Sequence, residues 1–420
     1  MTHTTIVYDA AQIVVGSASA LAGSEHADAA ETDATDSLSY FEDAALVAED
    51  GTVVAVGPSE AVAREHPPED ADTVVDATGQ AVIPGFVDSH THALFAGDRS
   101  DEFAAKLRGK EYQEILAEGG GILRTVRAVR EASDDELLAN LLGHLDEMLA
   151  HGSTTVEVKS GYGLDTETEL RMLETIQRAD ERHPVDVVPT FMGAHAVPEK
   201  QDAEGYTAEV VEEQLPAVAE QGVAEFVDVF CEEGAFSVEQ SRRVLEAGGE
   251  AGLKPKIHAE EFVRLGGSQL AAEVGAVSAD HLLHANAEDA EALAEAGVVP
   301  VFLPATAFSL GAAYADPEPF LDAGARVALA SDFNPNCYSQ SMPFTVALGC
   351  VGMGMTPAQS LLGATENGAA ALDRTEGSGT LAEGTAADLA ILDAPSYVHV
   401  PYNVGVNPVE TVLKGGEIVA

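Results

Sequence analysis

Between residues 81 and 330, eight short apolar runs alternate with longer segments of helical periodicity. This alternation is typical of repeated βα units and a parallel sheet. Eight is the number of strands that closes a (β/α)8 barrel. The sequence therefore predicts an α/β fold whose main part is a TIM barrel. The predicted strands are residues 81–89, 154–159, 185–192, 226–231, 254–258, 276–283, 298–303 and 326–330.

The segment 134–149 is the clearest predicted helix between these runs. Ser133 and Glu136 fit a capping box at its start, and Gly152 is a stop signal just beyond its end. Its apolar residues recur at helical spacing, so we expect them to share one buried face. These residues are Leu137, Leu138, Leu141, Leu142, Leu145, Met148 and Leu149.

The two ends of the chain differ in texture from the predicted barrel. Residues 4–15 and 44–57 are rich in β-branched residues, and after about residue 375 the chain returns to short strands punctuated by glycine. We expect segments 1–80 and 375–420 to pair into one small composite β-sandwich domain beside a barrel of residues 81–374. The stretch 17–39 has five acidic residues and no Lys or Arg, which predicts a solvated surface loop.

The charge of the chain excludes some classes of partner. With 71 Asp and Glu against 21 Lys and Arg, the formal net charge is −50. Nucleic acids and anionic membrane surfaces are polyanions that require a basic patch, so we expect neither as a partner. Only seven lysines and no tryptophan accompany the acids, which predicts adaptation to high salt. A merely acidic cytosolic protein is the alternative.

The cysteines and the apolar runs indicate a compartment. Cys231, Cys337 and Cys350 are odd in number and form no CxxC pair, so neither a disulfide framework nor a thiolate zinc site is indicated. The N-terminus has no basic segment followed by an apolar run, and no stretch reaches the ~18 continuous apolar residues of a membrane helix. We therefore expect a soluble, cytoplasmic protein.

Polar residues occupy the carboxyl ends of the predicted strands, where the reacting groups of a parallel barrel lie. His90 and His92 end the first strand and, two residues apart on an extended chain, point to the same side. His258 ends the fifth strand and Asp332 follows the eighth. Three imidazoles and one carboxylate suit zinc or another divalent transition metal such as Fe(II). We predict that these four residues hold a metal ion.

A metal of this kind lowers the pKa of bound water toward ~7, which makes hydrolysis the natural reaction. Glu261 is a candidate general acid or base, with an exposed acid as the alternative. His281, ending the sixth strand, is a candidate base, with a satisfied barrel-interior histidine as the alternative. The fourth strand ends in VFCEEG, without the lysine that bridges two metals when carboxylated, so a single-metal site is favoured.

Two further residues are candidates for binding the substrate. Arg99, in FAGDRS, has a planar guanidinium suited to hold a carboxylate through two parallel hydrogen bonds. A surface ion pair with Asp98 or Asp101 is the alternative for Arg99. Tyr162, in KSGYGL, can donate its hydroxyl to a substrate or pack under a loop.

The motifs PGFVDSHTH, HAEEF, SADHLLH and SDFNP, in this order, resemble the amidohydrolase superfamily. The segments VDSHTHALFAGDRS, TTVEVKSGYGL, PTFMGAHAVP, IHAEEF and SDFNP are more closely similar to the imidazolonepropionase family. This similarity runs over roughly residues 44–420. It implies hydrolytic ring opening of 4-imidazolone-5-propanoate to N-formimino-L-glutamate in histidine degradation, with one zinc or iron per subunit and a homodimeric assembly.

The resemblance also implies roles for single residues. The implied metal ligands are His90, His92, His258 and Asp332. The implied substrate-binding residues are Arg99, Tyr162, His195 and Glu261, and the catalytic residues are Glu261, His281 and Asp332. Asn334 and the residues at 336 and 337 would contact the ring or the formimino product.

The chain departs from the family pattern after SDFNP. That motif usually continues with glycine and a small hydroxyl residue, whereas this chain has Asn336 and Cys337. Asparagine tolerates the left-handed conformation better than most residues, so we expect the turn to survive. The side-chain hydroxyl contact at position 337 is lost. The 17–39 segment has no counterpart in the family pattern.

Two other functions compete with this interpretation. A deaminase of the same superfamily, acting on guanine or another heterocycle, would use the same metal ligands but has less need for Arg99. A catalytically silent barrel that binds or assembles is the second alternative. Such proteins commonly lose metal ligands, and this chain retains every predicted one.

Overall fold

The computed structural model describes residues 2–22, 24, 26–32, 38–110, 114–115, 118–375 and 377–420. Within these ranges, the strands are β1 Thr4–Ser17, β2 Glu31–Thr32, β3 Leu38–Glu49, β4 Thr52–Pro58, β5 Thr73–Asp76, β6 Ala81–Pro84, β7 Phe86–Asp88, β8 Ser153–Lys159, β9 Asp186–Ala194, β10 Phe226–Cys231, β11 Lys254–Ala259, β12 Ser278–His281, β13 Val299–Phe302, β14 Ala328–Leu329, β15 Leu389–Leu392, β16 Val409–Lys414 and β17 Glu417–Ile418.

The helices within the same ranges are α1 Ser59–Glu65, α2 Ser100–Leu107, α3 Ile122–Glu131, α4 Asp134–Ala150, α5 Thr166–Asp180, α6 Ala203–Glu209, α7 Leu215–Gln221, α8 Val238–Glu250, α9 Gly267–Val274, α10 Ala287–Ala296, α11 Pro304–Leu310, α12 Glu318–Asp322, α13 Met342–Val351, α14 Pro357–Gly363, α15 Glu366–Ala370 and α16 His399–Tyr402. Short 3₁₀ turns cover Ala27–Ala29 and Pro68–Asp70, and a π-helical turn at Val210–Gln214 joins α6 to α7.

Strands β7 to β14 form the predicted parallel barrel. They pair in sequence order, each parallel to the next. The segments after β7 and β14 close the circle, because Thr91 and Phe333 form a parallel bridge and Asp332 N donates to His90 O at 3.1 Å. Below this bridge, Ser331 Oγ donates to Asp88 Oδ2 at 2.5 Å. Barrel closure therefore brings the first and last strand ends together.

Helix α4 shows why the segments between strands fold as expected. Ser133 Oγ accepts from Glu136 N and the Glu136 carboxylate accepts from Ser133 N, which completes the predicted capping box. The predicted apolar face is buried, although Leu142 is only partly so. Burying a leucine fully contributes about 1.5–3 kcal/mol, so this face anchors α4 to the barrel. The helix ends at Ala150, and Gly152 follows with a φ of +91°.

Both ends of the chain build a second sheet. Its strand order is β17–β16–β15–β6–β1–β3–β2, with β4 against β3 and β5 against β1. Alternate residues of β1 serve two cores: Ile13 joins a cluster inside the small β unit, while Val14 packs with Met342 of the barrel helix α13. The sheet is the small composite β unit predicted from the chain ends.

Three details of the predicted strands are wrong. Residues 81–89 form two strands, because the chain turns at Gly85 and β6 pairs with β1 and β15 rather than with the barrel. The β12 and β14 strands are shorter than predicted at both ends. The predicted loop 17–39 gives Ser17 to β1 and Leu38 to β3, and residues 23, 25 and 33–37 lie outside the described ranges.

Helices long and apolar enough to span a bilayer are absent from the described part of the chain.

Candidate active site

The four predicted metal ligands converge at the carboxyl end of the barrel. His90 Nε2 lies 3.6 Å and His92 Nε2 3.8 Å from Asp332 Oδ1. His258 Nε2 lies 3.4 Å from His92 Nε2. The four side chains are at most 5 % exposed. Ligand atoms from three of them, those of His90, His92 and Asp332, all lie within 4.8 Å of one another.

The second nitrogen of two of these imidazoles is held by a buried carboxylate. His90 Nδ1 donates to Asp280 Oδ2 at 2.6 Å, and His258 Nδ1 donates to Asp228 Oδ1 at 3.1 Å. Each bond fixes the tautomer that presents Nε2 to the cluster, as metal-binding histidines require. His90 Nε2 is buried and has no hydrogen-bond partner among the described residues. A metal ion fits this orphaned nitrogen.

The charge states of the ligands also suit a cation. Burial lowers the pKa of His90 and of His92 well below the ordinary value, helped by neighbouring charged groups. Both imidazoles are therefore neutral at pH 7, the form that ligates metals. Asp332 has a φ of +50°, an uncommon conformation for a residue other than glycine. Its carboxylate accepts from Thr306 Oγ1 at 2.5 Å and from Asn334 Nδ2 at 3.0 Å, which fixes its direction.

Glu261 and His281 lie together beside this cluster. Glu261 Oε2 is 3.8 Å from His281 Nε2, and the His281 ring centroid lies 5.1 Å from that of His258. Burial raises the pKa of Glu261 well above its ordinary value and lowers that of His281 well below. Burial thus favours the protonated form of Glu261 and the neutral form of His281, an acid and a base that face the same space.

Neither of the alternatives considered for this pair describes the structure. The Glu261 side chain is only 12 % exposed, so it is not a surface acid. His281 is not a satisfied interior histidine, because its buried Nδ1 has no hydrogen-bond partner among the described residues. Its φ of +79° adds backbone strain at the same place.

Tyr162 and His195 form an aromatic wall next to the cluster. The His195 ring stacks on His92 with centroids 4.7 Å apart, and Tyr162 lies 5.3 Å from His195. His195 Nδ1 donates to Gly161 O at 3.0 Å, so Nε2 is left as the acceptor. Burial lowers the pKa of His195 to about 3. Gly161 has a φ of +98°, and a Cβ there would meet His195 Nδ1 at 2.9 Å, so the close approach requires glycine.

Arg99 lies between the first barrel strand and α2, and it is 8 % exposed. Its Nε donates to Glu102 Oε2 at 2.9 Å. The anticipated surface pairs with Asp98 or Asp101 are not formed. Asp98 Oδ1 instead accepts from Ser100 N, and Asp101 pairs with Arg124. Within the described chain, no residue accepts a hydrogen bond from the two Nη groups of Arg99. The free edge of the guanidinium can hold a carboxylate.

The loop after Asp332 keeps its turn without a left-handed residue at 336. Asn334 Oδ1 accepts from Asn336 N at 2.7 Å and from Cys337 N at 3.1 Å, and Asn336 is not among the residues with positive φ. The Asn336 side chain accepts from Lys106 Nζ at 2.7 Å. The Cys337 thiol is buried beside Ala305, and burial raises its pKa to about 12.

A buried network of charges beneath the cluster was not predicted. Each of its members has a side chain that is 0 % exposed. The signal was available in the sequence, because charged residues two apart within apolar runs point to one side of a strand, here the barrel interior. The members are Glu157 and Lys159 on β8, Asp228 on β10, Lys256 on β11 and Asp280 on β12.

The charge count of this interior supports the metal. Together with Asp332, the network holds four carboxylates against two ammonium groups. Burial opposes the charged form of Lys159, but Asp228, Glu157 and Asp280 raise its pKa above the ordinary value. Burial raises the pKa of Asp332 and, to about 6, that of Asp280, and a divalent cation nearby would favour the ionised form of both carboxylates.

Fold and site together define a barrel enzyme of the amidohydrolase class. The Amidohydrolase family matches residues 81–419. An imidazolonepropionase of Haloarcula marismortui is 68% identical, covering 91% of each chain, and one of Geobacillus kaustophilus is 47% identical, covering 95% of each. The chain belongs to the amidohydrolase family and, within it, to the imidazolonepropionases. It is a metal-dependent hydrolase, and the silent-barrel alternative is excluded.

Distant structures share the fold. A guanine deaminase from C. acetobutylicum superposes with a TM-score of 0.71, covering 100% of both chains, at 14% identity. Similarity at this level shows the barrel architecture alone, so the deaminase alternative gains no support from it. The acidic, lysine-poor composition predicts a halophilic protein, and the 68% identity to the Haloarcula marismortui protein fits this prediction.

Proposed function

We propose that this enzyme hydrolyses 4-imidazolone-5-propanoate to N-formimino-L-glutamate. The observation that carries the proposal is that His90, His92, His258 and Asp332 converge beside the Glu261–His281 pair at one end of the barrel. The cluster suits activation of water, and the pair suits the two proton transfers of an amide hydrolysis. The identity to imidazolonepropionases supports this substrate over a purine.

We assign one divalent ion per subunit, zinc or iron, to His90, His92, His258 and Asp332. Three neutral imidazole nitrogens and one carboxylate oxygen are a donor set that both metals accept. When bound, the ion supplies a water molecule of lowered pKa at neutral pH. The second-nitrogen bonds of His90 and His258 support the choice of Nε2 as the ligand atom.

The protein's own acid and base account for the remaining chemistry. His281, neutral at pH 7, takes a proton from the attacking water. Asp332 is the second group that can accept a proton from this water. The water oxygen bonds to the ring carbonyl carbon. Glu261, whose protonated form is favoured by burial, gives its proton to the ring nitrogen as the C–N bond breaks. One water is consumed, and the ring opens to a carboxylate and a formimino group.

Substrate binding uses the residues around this centre. We assign the propionate to the free edge of Arg99, since a buried guanidinium binds a carboxylate strongly. We assign the ring to the wall of Tyr162 and His195, where Nε2 of the neutral histidine accepts a ring N–H. We assign contacts with the ring or the formimino product to Asn334, Asn336 and Cys337.

We infer that the enzyme works as a homodimer in the cytoplasm. The assembly is carried over from the family resemblance. The three cysteines are unpaired, which suits a reducing compartment.

The identity of the product tests this function. Purified enzyme with freshly generated substrate should yield N-formimino-L-glutamate by NMR, while guanine offered under the same conditions should be unchanged. Release of ammonia from guanine, with no product from the imidazolone, would establish the deaminase instead.

A further inference from the structure

A single ammonium group connects the supports of two metal ligands. Lys159 Nζ lies 2.7 Å from Asp228 Oδ2, and the other oxygen of Asp228 accepts from His258 Nδ1. The same Nζ lies 3.9 Å from Asp280 Oδ2, which accepts from His90 Nδ1. Lys159, Asp228 and Asp280 are 0 % exposed, so no water screens these charges.

The geometry makes Asp228 depend on Lys159. Lys159 Nζ donates to Oδ2 and His258 Nδ1 donates to Oδ1, so the lysine fixes the orientation of the carboxylate that the histidine uses. Without the bond from Lys159, the Asp228 carboxylate could turn away and would no longer accept the proton of His258 Nδ1 in the same way. The imidazole would then lose its fixed tautomer and its orientation.

Lys256, the other buried lysine of the network, shares Glu157 with Lys159, whose Nζ lies 2.8 Å from Glu157 Oε2, but differs in its other partners. Its Nζ lies 3.1 Å from Glu157 Oε1 and donates to Ser89 O at 2.9 Å. It acts on Asp280 through its charge but makes no ion pair with Asp228 among the described residues. The two lysines are equally buried, and only Lys159 contacts the carboxylate that supports His258.

We propose that Lys159 is a positioning residue of the metal centre, which fixes His258 through Asp228. It touches neither substrate nor metal. The role rests on the metal site proposed above, because it concerns how the protein presents its ligands to that ion.

A double-mutant cycle on zinc affinity tests the role. The dissociation constant for Zn²⁺ alone is measured by competition with a chromophoric chelator on folded, metal-free protein in concentrated KCl. Lys159→Met and Asp228→Asn should each raise the constant roughly 10- to 100-fold. If Lys159 acts through Asp228, the Lys159→Met/Asp228→Asn double variant should bind zinc within about threefold of Asp228→Asn.

The matched control uses the other buried lysine. Lys256→Met combined with Asp228→Asn should stay closer to the product of its two single effects than the Lys159 pair does, because Lys256 reaches Asp228 only through Glu157 and Lys159. Should Lys159→Met alone fail to fold, the double variant removes one charge of each sign and is compared directly with Asp228→Asn.

Three results would overturn the proposal. Zinc affinity of Lys159→Met within about threefold of wild type would remove its role, as would additive effects of Lys159→Met and Asp228→Asn. Wild-type protein that binds neither Zn²⁺ nor Fe²⁺ would refute the metal site itself, and with it the proposed function. If wild type binds zinc and Lys159→Met binds it with unchanged affinity, only the role of Lys159 is refuted and the metal site stands.

Discussion

Replacing Arg99 by methionine removes the group that we assign to the substrate's propionate. Methionine keeps most of the length and apolar volume of the arginine stem, so the perturbation is chiefly the loss of the guanidinium. Arg99 is only 8 % exposed, and its Nε is already held by Glu102, which pre-orients the remaining edge. The substituted enzyme would therefore leave a carboxylate unpaired in a poorly hydrated site.

The size of the effect follows from the kind of bond lost. A hydrogen bond to a charged group contributes about 1.5–3 kcal/mol, and about 1.4 kcal/mol is a factor of ten. Arg99→Met should therefore lower kcat/KM roughly 10- to 150-fold, mainly by raising KM. The bound metal should stay at one per chain, since no metal ligand is touched.

Steady-state kinetics with 4-imidazolone-5-propanoate, followed by its ultraviolet absorbance, provide the assay. Arg127→Met is the matched control, because Arg127 is 47 % exposed and pairs with Glu199 at the surface. Its KM should stay within about twofold of wild type, as expected for a surface pair. An unaltered KM in Arg99→Met, with metal content preserved, would remove Arg99 from the substrate site and refute the reasoning.

Two further predictions concern acid catalysis and salt. Glu261→Gln should lower kcat roughly 10²- to 10⁴-fold with metal retained. The wild-type kcat should fall at alkaline pH, where the buried acid loses its proton, and this fall should disappear in the variant. A wild-type-like pH profile in the variant would exclude Glu261 as the acid. The melting temperature should rise strongly with KCl, because screening relieves the self-repulsion of a −50 chain, whereas a flat response would contradict adaptation to high salt.

The barrel and the convergence of four polar side chains at one of its ends could be predicted from sequence because two local signals coincide. Apolar runs of strand length mark the barrel strands, and polar residues at their ends mark the active face. His90, His92, His258 and Asp332 each follow or end such a run, and barrel closure brings them within a few ångströms. Local pattern and tertiary geometry agree at these positions.

The errors in the predicted strands arise where the local sequence pattern and the tertiary strand pairing disagree. Residues 81–89 form a continuous apolar run, but Gly85 divides it between two sheets, a choice made by distant partners on β1 and β15. A Cβ at Gly85 would meet Thr154 Oγ1 at 2.3 Å, so the crossing depends on a close contact that no local pattern records. The ends of β12 and β14 also differ from the predicted ends.

The buried network shows a different limit of sequence reasoning. Glu157 and Lys159 alternate with valines, which indicates a shared side of β8 but not which side is the interior. Their pairing with Asp228 and Lys256 depends on the register of neighbouring strands. The ion pair between Arg99 and Glu102 was not predicted for a similar reason, since Glu102 comes within reach only through the turn that starts α2.

Metal-dependent ring hydrolysis is the central claim, and one measurement tests it directly. Purified protein in concentrated KCl is mixed with freshly generated 4-imidazolone-5-propanoate, and the ultraviolet absorbance is followed before chelation, after chelation and after restoring Zn²⁺ or Fe²⁺. The account predicts rapid decay that the chelator abolishes and the metal restores. No decay by metal-replete protein, or decay that persists in protein shown to be metal-free, would contradict it.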